Sequence, residues 1–144
     1  MADNKQLPPL TFERFIPVPV ERVWAALTQP EVIAKWLMDN TFQPSVGHKF
    51  TFRAQPVPGW SGVTQCEVLE IVPMQKLVYT WGDGTESVSG LRTIVTWSLS
   101  AEGKGTRVHF VHSGFREQDR GGHEAMGSGW PRILERLEQV SSAQ

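Results

Sequence analysis

Few residues in this chain could move protons, attack a carbonyl or hold a metal, so each can be weighed on its spacing. There are four histidines, His48, His109, His112 and His123. Histidine is the side chain that titrates nearest neutral pH. His109 and His112 stand three apart in a segment of strand character, which puts them on opposite faces and denies them a shared metal. His48 and His112 share an inner phase, but no cysteine or carboxylate is in phase to complete a zinc site. No metal and no cofactor are therefore expected. His112 reads first as a hydrogen-bonded polar group at a cavity edge, and second as a group that orients a ligand. Cys66 is the only cysteine. It has no disulfide partner and no adjacent base to make it a nucleophile, so it reads as a small apolar residue. Glu67 and Glu70 fall on opposite phases of one strand, and Asp83 and Glu86 lie in a glycine-rich loop. Neither pair suits two-carboxylate glycoside chemistry. The GDG and GKG triplets are turns without a helix at Walker spacing, so no phosphate loop is expected. Glu117, Asp119 and Arg120 read as an acidic first helical turn, which the helix dipole favours.

These residues must be positioned by regular elements, and the hydrophobic period supplies them. Residues 10 to 17, LTFERFIP, read as a strand that Pro17 and Pro19 terminate. Val20, Val23, Trp24 and Leu27 then recur at helical spacing. Pro30 ends this helix and opens a second, in which Ile33, Trp36 and Leu37 repeat the spacing. From Gly47 the period becomes two. His48, Phe50 and Phe52 share a face. The next strands are VTQCEVLEIV, then KLVYTW with Leu77, Tyr79 and Trp81 in phase. LRTIVTWSLS comes next with Leu91, Val95, Trp97 and Leu99 in phase, and TRVHFVHSGF with Val108, Phe110 and His112 in phase. The short connections between them suit antiparallel hairpins. Met126, Trp130, Ile133, Leu134 and Leu137 form one apolar stripe of a last helix. Pro131 lies within that stripe, so the helix either starts there or runs through from about residue 118. The shared stripe favours the longer, bent helix.

The chain has 144 residues, is 40% hydrophobic and carries a net charge of −1. That suits a single domain able to bury roughly two thirds of its unfolded surface. Near-zero charge argues against a nucleic-acid binder or a protein held on acidic membranes. No apolar run reaches the ~20 residues of a membrane span, and MADNKQLPPL has no signal-peptide pattern. A cytoplasmic location is the expectation. Six tryptophans against one tyrosine is the unusual feature. They suit core packing or the lining of a cavity. Trp60, beside Gly59 in a proline-rich loop, suits a lid or a homodimer contact.

The order is strand, two short helices, five strands, long helix. A strongly curved antiparallel sheet covered by one long helix leaves a gap at its end. Two short helices bent at Pro30 can plug such a gap, with Trp24 and Trp36 as the large filling groups.

The segments FIPVPVERVWAALTQPEVIAKWL, EVLEIVPMQKLVYTW, TIVTWSLSAEGKGTRVHFVHSGF and GWPRILERL, in this order, resemble the Hsp90 ATPase activator homologue family of the START-like, helix-grip superfamily. The resemblance spans about residues 10 to 140. It implies an α+β fold in which a curved antiparallel sheet grips a C-terminal helix, with an apolar cavity between them. Carried over by position, the lining from the sheet would be Phe50, Phe52, Tyr79, Trp81, Val95, Trp97, Phe110 and His112. The helix would contribute Met126, Trp130, Ile133 and Leu134, and Trp36 would sit at the mouth. The eukaryotic activators have an additional N-terminal domain that contributes to chaperone binding, whereas nine residues precede the first strand here.

Three readings of function are open. The leading one is a binder of a small hydrophobic or amphipathic molecule, a lipid, aromatic metabolite or polyketide. Tyr79, His112, Thr93 and Cys66 are its polar or polarisable groups. The second is a chaperone cofactor that works by protein contact. The third is a cyclase- or aromatase-like enzyme using His112 and Tyr79. No tight catalytic set is visible for it.

Overall fold

A computed structural model describes residues 6–58, 61–82 and 91–143. Trp60, Asp83 and Glu86 lie outside the described residues. The chain opens with strand β1 (Leu10–Ile16), then helices α1 (Val20–Thr28) and α2 (Pro30–Trp36). Strands β2 (Asp39–Asn40), β3 (Lys49–Arg53), β4 (Val63–Val72), β5 (Lys76–Gly82), β6 (Arg92–Glu102) and β7 (Gly105–Ser113) come next. A short 3-10 turn (Glu117–Asp119) leads into α3 (Arg120–Ala143). The seven strands form one antiparallel sheet in the order β1-β7-β6-β5-β4-β3-β2. The first strand thus pairs with the last, and α3 packs against α1, α2 and β1. This is the expected α+β helix-grip fold.

The local chemistry explains the elements. Pro19 is the N-cap of α1, and Pro30 is the first residue of α2, where a missing N–H costs nothing. Alternation on β6 and β7 is nearly strict: Thr93, Val95, Trp97 and Leu99 are buried, as are Val108, Phe110 and His112. The entry to α3 is tied down by Asp119, which is 7% exposed. Its Oδ2 accepts hydrogen bonds from the Arg116 backbone N–H at 2.8 Å and from Arg116 Nε at 2.9 Å. The charged Arg116 partner holds this carboxyl below the usual carboxylate range.

Helix α3 runs through Pro131, as the shared stripe predicts. Proline there removes one ladder bond and crowds the carbonyl four residues back. That residue is Gly127, and a Cβ on it would stand 3.3 Å from Leu10 Cδ2. The absent side chain lets the helix approach β1 at the same turn that must accommodate the proline.

Three expectations need correction. The two-residue strand β2 extends the sheet beyond β3, so six strands rather than five come after the short helices. An irregularity between Val68 and Glu70 of β4 shifts the register. One added residue reverses the facing of the residues beyond it, so Glu70 joins Glu67 on the outer face. Glu70 there pairs with Lys76 at 3.3 Å. Finally, Trp36 is 1% exposed and does not stand at a mouth. Its Nε1 donates to the Ala26 carbonyl at 2.8 Å, and its ring meets Trp97 edge-on at 5.5 Å. The two short helices are joined through this indole, which is buried because its N–H finds a partner inside.

Candidate functional site

The concave face of the sheet and the inner stripe of α3 enclose a cluster of aromatic rings. Phe50 meets Phe52 at 5.3 Å and Tyr79 at 5.4 Å, and Phe52 meets Trp81 at 5.3 Å. Trp81 meets Trp130 at 5.5 Å. Phe110 lies between Trp97 at 4.5 Å and Trp130 at 4.4 Å. Val95 and Leu134 complete the buried set. The sequence-predicted inner residues therefore converge, and their rings pack on one another.

Two of that set, Met126 and Ile133, are only partly buried against the core. They share a helical stripe with Gly122 and Gly129. A Cβ built on either glycine meets nothing within 4 Å. Among the residues from Arg120 to Gly129, none is fully buried; burial in α3 begins at Trp130. The first half of α3 is therefore loosely covered, and open space borders its Gly122–Met126–Gly129 stripe. Leu37 and Met38, after α2, are likewise half-buried apolar groups.

One polar chain runs through the buried cluster. Trp130 Nε1 lies 3.1 Å from His112 Nδ1. An indole nitrogen only donates, so Nδ1 is the acceptor and the imidazole proton is on Nε2. Nε2 then donates to Thr93 Oγ1 at 2.7 Å, and that hydroxyl donates to the Trp81 carbonyl at 2.6 Å. His112 is 0% exposed. Burial, with a smaller contribution from His123, lowers its pKa to about 3. His112 is neutral at physiological pH, and its lone pair is already engaged. Phe115 packs on it at 4.6 Å. Residue types alone gave no signal for that contact.

Tyr79 Oη accepts a hydrogen bond from Trp97 Nε1 at 3.0 Å, and burial pushes its pKa up. Burial also pushes the Cys66 thiol up. None of these three groups is tuned toward neutrality, as a general acid or base is. His48 remains at the β2–β3 edge, with Nε2 2.9 Å from the Thr41 carbonyl. Among the described residues no group of three or more His, Cys, Asp or Glu could hold a metal. No helix there is long and apolar enough to cross a membrane.

The protein family described as Activator of Hsp90 ATPase homolog 1-like protein matches residues 17–142. The crystal structure of a Mesorhizobium loti protein is 39% identical with TM-score 0.86, covering 95% of this chain and 98% of that one. The solution structure of a Bacillus halodurans protein is 31% identical with TM-score 0.75, covering 94% and 98%. The solution structure of the Aha1 dimer from Colwellia psychrerythraea is 22% identical with TM-score 0.77, covering 93% and 96%. At that identity the likeness speaks to fold alone. No curated protein matches the chain. With the helix-grip architecture and this match over most of its length, the chain belongs to the Activator of Hsp90 ATPase homologue 1-like family.

Proposed function

We propose that this protein binds a small, mostly apolar molecule between the sheet and the first half of α3. The carrying observation is the Gly122–Met126–Gly129 stripe, which borders open space beside an interior rich in aromatic rings. A ligand seated there would cover Met126 and Ile133 and lie against the Trp130 ring. Sites of this kind are mostly apolar with a few fixed polar groups. Here the polar groups are internally satisfied, so the driving force is burial of apolar area, at about 25 cal/mol per Å². A lipid, an aromatic metabolite or a polyketide meets that description. A neutral His112 with an occupied lone pair favours binding over proton-transfer catalysis.

The second reading is contact with an Hsp90-type chaperone, and the family description favours it. A homodimer belongs with it as a lesser reading. A two-dimensional amide NMR titration with fatty acids, flavonoids and aromatic polyketides tests the first reading. Saturable shifts at Met126, Gly129, Trp130 and His112 are expected. A flat response across the panel, with a change in chaperone ATPase rate on adding the protein, would transfer the function to the protein-contact reading.

A further inference from the structure

The convex face of the sheet carries a second concavity. It is an open groove of about 600 Å³ whose lining includes Lys49, Gln65, Glu67, Thr80, Gly82 and Arg92. Strand register arranges these residues in two adjacent rows. Thr51 pairs with Gln65, Gln65 with Gly82, and Gly82 with Arg92. In the neighbouring row Lys49 pairs with Glu67, and the Glu67 backbone N–H donates to Thr80 Oγ1 at 2.8 Å. Gly82 leaves the first row without a side chain between Gln65 and Arg92. The Leu91 carbonyl oxygen occupies the floor there, within clashing distance of where a Cβ would stand. The floor of this notch at the β5–β6 end is thus backbone, with the Leu91 carbonyl filling the space a Gly82 side chain would take.

The chemistry of the notch is mixed. Arg92 and Lys49 are cationic, and among the described residues neither is paired with a carboxylate. An arginine in this position presents a planar fork that matches an oxyanion. The Gln65 amide and the Thr80 hydroxyl proton add neutral donors. The Glu67 carboxylate is an acceptor beside them, and it would repel a bare anion. The ligand that satisfies both sets carries an anionic group and an adjacent hydroxyl donor.

We infer that this groove is a binding site for a small hydroxylated oxyanion, a polyol phosphate or a hydroxy-carboxylate. Its oxyanion lies against Arg92 and Gln65, clear of the Leu91 carbonyl, and its hydroxyl donates to Glu67. Its polar side chains belong to the outer face of the sheet, and Phe50 and Cys66 of the buried core also border the groove. Amide NMR titrations with glycerol 3-phosphate, malate and inorganic phosphate test it. The first two should produce saturable millimolar shifts at Gln65, Glu67, Thr80 and Arg92. Whichever of them binds more tightly identifies the anion as phosphate or carboxylate. Inorganic phosphate, lacking the adjacent alcohol, should bind more weakly.

Arg92→Gln should abolish the response to all three probes while leaving the rest of the spectrum unchanged. Glu67→Gln should remove the advantage of glycerol 3-phosphate and strengthen inorganic phosphate by about threefold, the scale of an exposed charge interaction. Absence of saturable shifts, or shifts that survive Arg92→Gln, would overturn the site. Equal affinity for glycerol 3-phosphate and inorganic phosphate in the unsubstituted protein would overturn the assignment of the hydroxyl.

Discussion

Replacing His112 with glutamine should flatten the acid sensitivity of this fold. The imidazole is buried and neutral, with its pKa lowered from 6.5 to about 3. The unfolded chain binds a proton at His112 below about pH 6.5, while the folded chain does not until about pH 3. Stability is therefore full above the unfolded pKa and declines as pH falls between the two values. From pH 7 to pH 5 the loss is about 2 kcal/mol, taking 1.36 kcal/mol per unit of pH once below the unfolded pKa. Glutamine removes the titration and keeps both an acceptor for Trp130 and a donor for Thr93. Urea unfolding monitored by tryptophan fluorescence at pH 7 and pH 5 measures the effect. The loss on acidification should be smaller in His112→Gln by about that amount, because every other titrating group is common to both proteins. Equal pH dependence in the two proteins would refute the buried neutral imidazole.

Trp130→Phe should cost about 2–4 kcal/mol at pH 7, combining lost ring contact with a stranded His112 acceptor, measured by the same unfolding assay. Asp119→Asn should destabilise by about 1–3 kcal/mol in that assay, since the charged bond to Arg116 and the tie to the Arg116 amide are weakened together. Ser141→Ala should stabilise by up to about 1 kcal/mol, because the Ser141 hydroxyl is fully buried without a hydrogen-bond partner. Cys66, buried and with its pKa pushed up, should label with a thiol reagent only at the rate of unfolding. Fast labelling of folded protein would contradict its packing.

The fold was readable because its signals are local. Period-two runs such as Val108, Phe110 and His112, and prolines at 19 and 30, act within a few residues. β2 escaped because two residues cannot display a period. The shift in register near Val68 escaped because an irregularity adds a residue without changing residue types. The inner face was legible for the same reason as the strands: phase selects it. Phase does not reveal how far the rings fill the space they face. Trp36 shows this, since its spacing marks an apolar face but its bond to the Ala26 carbonyl is tertiary. The pairing of Trp130 with His112, across 18 residues of sequence, is of the same kind. The groove on the convex face depends on register across four strands and on a missing side chain at Gly82, neither of which a single segment displays.

An apolar ligand is proposed to sit against the first half of α3. An isotope-filtered NOE spectrum of the protein with its tightest apolar ligand from the titration panel tests this most directly. Contacts from ligand protons to the Met126 methyl, the Ile133 side chain and the Trp130 ring are predicted. Contacts confined to outer-face residues such as Leu69 and Ile94, or no ligand in the panel that saturates, would contradict it.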